Sequence, residues 1–491
     1  MLFDSLAFVV AFPLFSAIFL IAPARAQPPL LLFGSLAACA TFGWVTFAWL
    51  ILITLLGFLF GRALDAAPSP RRLLLAVLTI VAPLLVLKYT NFVLTSARSA
   101  LAWAGVNVAV PHLNAVLPIG ISFYTFVVLG YLIDVHMERT KSEPSLHRFA
   151  LFTSFYPKLI AGPVERATAF LPQIDPPKRF DYARVTDGIR IMGSGLFKKL
   201  VVADRVAVVV NGVYGDPAAF RGMALILTSV LYMFQLYYDF CGYSEIAVGA
   251  AKVLGYDLTW NFNRPYAARS ISDYWRRWHI SLTSWFFEYI FAPVATGLRG
   301  WNSGAVVFAM MTTFLVSGLW HGAQWTFVLY GLVHGVAMCI DYLSAKSRKR
   351  LKRRIPARVY ALSAWAVTFS FVACADVLFR ADTIANAGTF LYRAAAGLPP
   401  DLMFLVQHRF SLPSIKALIA GLPIPKTDLV IAVAAIACVE TAAFIGKRRP
   451  FRDQLLDQPV WIRWSIYYLV AGAIIYLGSQ NAATVFIYMQ F

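Results

Sequence analysis

The chain has 491 residues, of which 59% are hydrophobic and only 14% charged. A soluble globular domain carries about a quarter charged residues, so this balance excludes an ordinary soluble fold. The formal net charge of +19 would suggest nucleic acid in a soluble protein. Here the basic residues cluster between apolar runs, as cytoplasmic loops of a membrane protein do.

Apolar runs of roughly 20 residues, enough to cross a ~30 Å hydrocarbon core, recur from end to end. The expected fold class is all-α: a polytopic transmembrane helix bundle of about 11 to 13 membrane segments with re-entrant elements. The first stretch, "MLFDSLAFVVAFPLFSAIFLIAPARA", resembles a signal peptide but lacks a basic start. Asp4 precedes the apolar run and Arg25 follows it. This polarity predicts an uncleaved first helix with its N-terminus outside. Residues 30–61 are one apolar run, too long for a single pass, and Arg25 and Arg62 flank it. Two short passes turning near Gly43 satisfy both arginines. Further spans are predicted at about 73–94, 117–134, 190–214, 222–250, 304–320, 324–343, 359–379, 428–446 and 462–478.

Two regions are not simple spans. In "FALFTSFYPKLIAGPVERATAFLPQI" (149–174), prolines, glycines, Lys158, Glu165 and Arg166 interrupt an apolar stretch. Broken helices at membrane depth survive only where protein or a water-filled cavity covers the backbone, so a re-entrant element is expected over about 149–172. The competing reading is an amphipathic surface helix. In 256–303, "SISDYWRRWHISLTSWFFEYI" predicts a helix entering from an interface, with Ser272 as its cap. Residues 380–427 form a long connection of weak hydropathy, expected outside the cytoplasm. The basic runs "KSRKRLKRR" (346–354) and "GKRRPFR" (446–452) face anionic lipid headgroups in this reading. No soluble domain and no internal repeat is evident. The whole chain, 1–491, reads as one membrane domain: N-terminal helices over about 1–135, a core over about 149–345 and C-terminal helices over about 355–491.

Ionisable residues inside spans are costly and mark candidate sites. Asp134, Asp239, Glu245 and Lys252 are of this kind, the last three with Tyr237, Tyr238 and Tyr243 nearby. Trp275 and His279 are four apart and share a face if the helix is continuous. His321 and His334 are thirteen apart, about 220° around an ideal helix, and do not. No metal site is indicated, because no H-x-x-x-H occurs and no carboxylate has ligand spacing. No G-x-S-x-G supports a serine nucleophile. The five cysteines, all in apolar context, read as packing. His321 lies in "SGLWHGAQW". It is either a satisfied core histidine or a general base, with Gly318 and Gly322 leaving room for backbone and ligand and Trp320 and Trp325 excluding water. Residue chemistry alone leaves both readings open.

The motifs add a resemblance. "LPIGISFYTF" (117–126), "LIAGPVERATAF" (159–170), "QLYYDFCGYSEIAVGAAKVLGYDLTWNFNRPY" (235–266), "SISDYWRRWHISLTSWF" (270–286), "SGLWHGAQWTFVLYGLVHG" (317–335), "LFRADT" (378–383) and "FIYMQF" (486–491) follow one another along the chain. Together they resemble the membrane-bound O-acyltransferase family, in its bacterial branch of alginate and cell-surface polysaccharide O-acetylases. The resemblance implies a ring of tilted helices around a central tunnel. It implies His321 as the catalytic histidine of the W-H-G motif and His279 as the second histidine, in R-R-W-H-I-S. It also implies acetyl-CoA as cytoplasmic acyl donor, no bound cofactor, and an extracytoplasmic polysaccharide as acceptor. The partners implied are an SGNH-type acetyltransferase and the lipid bilayer, not nucleic acid, at the bacterial cytoplasmic (inner) membrane. Arg276, Arg277 and Lys198 are candidates for the donor phosphates, and Trp275, Tyr238, Asp239 and Trp320 for further donor or substrate contacts. After "WFFEYIF" the chain continues "APVATGLRGW" where the branch usually has a Pro-Leu-Gly-Gly segment. The resemblance therefore carries acyl transfer but not the polymer. A D-alanyl transferase fed by a carrier protein and acting on a teichoic acid-like polymer is the alternative within the family. A transporter without covalent chemistry would show paired repeats.

Overall fold

The computed structural model describes Phe3, residues 5–478 and residues 486–487. Asp4 and residues 488–491 of the terminal motif lie outside the described residues. No strand occurs among the described residues. Eight helices are long and apolar enough to cross a membrane, and three shorter apolar helices accompany them, among the described residues. The chain is an all-α polytopic membrane protein, as its composition predicts.

The expected turn near Gly43 is present. Helix Gln27–Ala40 stops and helix Trp44–Ala66 begins after Gly43, whose φ of 101° suits a residue without a Cβ. Proline opens the first of these helices, where its missing N–H costs nothing. Six further spans match their predicted positions within a few residues: Gly222–Val253, Ser303–His321, Trp325–Leu343, Ala357–Arg380, Lys426–Ile445 and Val460–Leu477. Three of the five cysteines are buried as expected, but Cys374 and Cys438 lie exposed on apolar helices.

The chain forms two compact units. The first comprises Met1–Met192, Tyr243–Trp260 and Ser284–Tyr289. Its helices Trp44–Ala66 and Ile121–His136 pack closely because Gly57 and Gly61 admit Val128 and Tyr131 of the second helix. The interrupted segment is broken and buried rather than a surface helix. It runs as short pieces Leu146–Ser154, Tyr156–Leu159 and Ala167–Phe170. Lys158 is buried with its ammonium 4.1 Å from the Phe152 ring and 4.8 Å from the Phe170 ring, a cation–π arrangement. The Glu165 carboxylate accepts from the Thr259 backbone N–H and hydroxyl. Buried Asp134 accepts from the Tyr289 hydroxyl at 2.8 Å and from Arg139 at 3.2 Å.

The second unit comprises Gly193–Gly242, Asn261–Thr283 and Ile290–Phe491. Two expectations are corrected at its edges and interior. Residues 190–214 are not an apolar span. The chain there runs from helix Tyr182–Leu196 through a π-helical stretch Phe197–Ala203 into helix Asp204–Gly215. Lys199 and Asp204 lie mid-run and are buried, with Lys199 paired to Asp204 and to Asp239. Residues 380–427 are not a simple connection either. They hold helices Ile384–Gln407 and Leu412–Ile419. Hydropathy is weak there because Arg393, Pro399, Pro400 and Asp401 interrupt the first helix, which buries Phe390 and Ala394 and leaves Tyr392 and Met403 exposed.

Candidate active site

His321 is the last residue of helix Ser303–His321, and extended backbone at Gly322 ends that helix. His334 therefore sits on a separate helix, Trp325–Leu343, and the angle expected for one continuous helix does not apply. The two helices approach closely at Gly318 and Gly331. A Cβ on Gly318 would lie 2.4 Å from the Phe327 carbonyl oxygen and 3.0 Å from the Gly331 Cα. A Cβ on Gly322 would lie 2.2 Å from the Phe327 ring. These glycines make room for the neighbouring helix, the small-residue packing of membrane helices, and no ligand clearance is visible at them. The His321 ring is buried, with Trp320 at 4.9 Å, Phe379 at 5.0 Å and Tyr330 at 6.2 Å between ring centroids. Phe379 comes from the "LFRADT" motif. Trp325, expected as a second screen against water, is instead 55% exposed.

His279 occupies a break, not a helix face. Ser270, rather than Ser272, caps helix Ile271–Trp275 by accepting from the Asp273 N–H. The Ser272 hydroxyl and N–H instead donate to Asp341. The helix ends after one turn, and the next begins at Ile280. Between them His279 has a φ of 43°, a left-handed conformation costing a non-glycine residue roughly 1–2 kcal/mol. Asn261 holds the turn in place. Its carbonyl accepts from the Ile280 N–H at 2.9 Å, and its side-chain oxygen accepts from the Ser281 hydroxyl at 2.6 Å. Trp275 and His279 consequently point to different neighbours. The Trp275 indole N–H donates to Nδ1 of His334 at 3.3 Å, which places the His334 proton on Nε2. The His279 ring meets Phe240 edge-on at 4.6 Å and Trp320 at 6.1 Å. Burial pushes the His279 imidazole down to about 3, so the ring is neutral at any working pH.

Trp320 thus stands between two buried histidines, His279 and His321, that lie 42 positions apart in sequence. The remaining candidates are more dispersed. Tyr238 donates its hydroxyl to Glu440 at 2.8 Å. Asp239 accepts from Lys199 at 2.6 Å and from the Ile487 N–H at 2.8 Å. Arg277 donates to Asp273 at 2.9 Å and to the Asn263 carbonyl at 3.3 Å. Arg276 is largely exposed, 3.9 Å from Asp273, and Lys198 is half-buried. Sequence reasoning missed Lys199 and Phe240. Lys199 carried a faint signal, since Lys199 and Asp204 are five apart, the spacing that meets across one turn of π-helix. Phe240 carried none.

Comparison with known proteins gives the family of the chain. The family model described as MBOAT, membrane-bound O-acyltransferase family, matches residues 131–379, a span that includes both His279 and His321. The chain is 32% identical over 341 residues to a peptidoglycan O-acetyltransferase of Helicobacter pylori, covering 64% of this chain and 63% of that protein. It is 30% identical over 513 residues to a probable alginate O-acetylase of Pseudomonas putida, covering 100% of both chains. A teichoic acid D-alanyltransferase of Bacillus subtilis is 29% identical over 282 residues, 55% of this chain and 70% of that protein. With its apolar helices and its match across half of the sequence, the chain belongs to the membrane-bound O-acyltransferase family and is a multi-pass membrane O-acyltransferase.

Proposed function

We propose that this chain carries an acetyl group from cytoplasmic acetyl-CoA across the bacterial inner membrane for O-acetylation of an extracytoplasmic polysaccharide. The observation that carries the reading is the pair of buried histidines flanking Trp320 within the family-matched span. An acceptor hydroxyl oxygen attacks the thioester carbonyl carbon while His321 takes the hydroxyl proton. The carbon–sulfur bond then breaks, and the proton passes to the departing thiolate. Such a base contributes about 10²–10⁴-fold, and the dry aromatic surround keeps water from competing for the acyl group. His279, neutral and held in a fixed turn, orients donor or acceptor. Arg276, Arg277 and Lys198 meet the donor phosphates from the cytoplasmic side, with Trp275, Tyr238 and Trp320 supporting the bound reactants. An SGNH-type partner completes transfer to the polymer.

The names of relatives at 30–32% identity, both O-acetyl transferring, support acetyl as the group. The relation to a D-alanyltransferase supports a second reading, an acyl group delivered by a carrier protein to a teichoic acid-like polymer. Two measurements decide. His321→Ala, expressed at wild-type level, should abolish O-acetylation of the surface polymer, and retained acetylation removes His321 from the mechanism. Purified protein should release free coenzyme A from acetyl-CoA only with acceptor or partner present. Activity that instead requires an acylated carrier protein selects the second reading.

A further inference from the structure

Phe486 and Ile487 lie inside the second unit, 3% and 6% exposed. A cluster of charges that the transfer chemistry does not use holds them there. Lys199 donates to Asp204 at 2.8 Å and to Asp239 at 2.6 Å, and all three side chains are buried. One cation faces two carboxylates, and burial makes the remaining Asp239 oxygen depend on a donor from the fold. The Ile487 backbone N–H donates to the second Asp239 oxygen at 2.8 Å, a charge-assisted bond of the kind that orders a segment. The π-helical stretch Phe197–Ala203 makes this possible by bringing Lys199 and Asp204, five residues apart, onto one side. The consequence reaches the site through rings. Phe486 lies 6.2 Å from Phe240, and Phe240 meets His279 edge-on at 4.6 Å.

We propose that Lys199 and Asp239 are positioning residues that clamp the Phe486–Ile487 segment behind Phe240 and thereby hold the His279 ring in place for transfer. The clamp itself is independent of the function proposed above, whereas its effect on transfer rests on that reading. Asp239 and Lys199 act here on the segment and not on the acyl donor. Docking of the segment gives the second Asp239 oxygen its donor, and its departure removes that donor and uncovers the back of the Phe240 ring.

Two variants of the full chain in detergent test this. In Asp239→Asn, Lys199 keeps Asp204 as partner, so no buried cation is stranded. Hydrogen exchange followed by mass spectrometry should show the Ile487 amide protected in the wild type and exchanging faster in Asp239→Asn. Equal protection in both overturns the clamp. Ile487→Pro deletes the donating N–H, besides fixing φ there, and leaves Lys199 and Asp239 untouched, while Ile487→Leu keeps it. Ile487→Pro should lower turnover at saturating donor by about tenfold or more with the donor KM changed less than about twofold, as expected for lost orientation. Ile487→Leu should remain near wild type. A merely structural role would reduce the amount of folded protein and leave turnover per folded molecule unchanged, and that result overturns the positioning role. A wild-type chain inactive with every acyl donor would refute the proposed function, while the hydrogen exchange would still judge the clamp.

Discussion

Gly318→Ala separates two accounts of the glycines around His321. If they cleared space for a ligand, a methyl group there would act on substrate and leave the protein's stability alone. The structure instead puts the added Cβ 2.4 Å from the Phe327 carbonyl oxygen and 3.0 Å from the Gly331 Cα. Both are backbone atoms, so no side chain can swing aside. Ordinary contact begins at 3.4 Å, so helices Ser303–His321 and Trp325–Leu343 must separate locally by about 1 Å. Overpacking of this kind costs about 1–3 kcal/mol. His321 lies one helical turn further on, and a ~1 Å displacement of a reacting group can cost about 10²-fold in rate. Gly388→Ala is the control. A Cβ there meets nothing within 4 Å on an exposed helix face, and alanine should stabilise the helix by about 0.5–1 kcal/mol. Thermal unfolding of the detergent-purified proteins and polymer acetylation in cells read both effects. Gly318→Ala with unchanged unfolding temperature and unchanged acetylation would refute the packing account.

Three further outcomes follow from the geometry. Lys199→Met strands Asp204 and Asp239 in the interior without their cation and should destabilise by about 3–5 kcal/mol, more than Asp239→Asn; a thermal midpoint equal to that of Asp239→Asn would contradict the pairing. The unfolded His279 ring binds a proton below about 6.5, while the folded ring stays neutral down to about 3. Stability should therefore fall as pH drops through that window, by up to about 1.4 kcal/mol per unit, and an identical acid slope in His279→Gln would show that the slope comes from elsewhere. Ser270→Ala removes the cap of the short helix before His279 and should cost about 1 kcal/mol; Ser270→Thr, which keeps the hydroxyl oxygen, should recover most of it in the same unfolding measurement.

Spans were legible where hydropathy and length agree, because a bilayer leaves the backbone few options. The turn at Gly43 was readable from two arginines and one glycine. Hydropathy misjudged 190–214, where a buried lysine and its carboxylate partners belong to the interior rather than to lipid. It also missed Ile384–Gln407, where Arg393, Pro399, Pro400 and Asp401 interrupt the apolar residues and lower the average. At the candidate site, the two histidines were named from their motifs, but their relation was not. Four-residue spacing linked His279 to Trp275 only on the assumption of a continuous helix. The break at Arg276–His279 depends on the Asn261 side chain, distant in sequence and carrying no signal of its own. Trp320, considered as a screen for His321, turned out to face His279 as well.

The interleaving of the first unit bears on how the chain is made. Asp134 finds the Tyr289 hydroxyl 155 residues later. At about 5–20 residues per second, a buried carboxylate on an apolar helix waits roughly 8–30 s for that partner to leave the ribosome. Arg139, five residues behind Asp134 and 3.2 Å from it in the finished fold, emerges almost at once. It can neutralise Asp134 while the helix enters the bilayer, and it remains as the carboxylate's second partner once Tyr289 arrives. The salt bridge at the end of helix Ile121–His136 thus serves biosynthesis before it serves the folded protein.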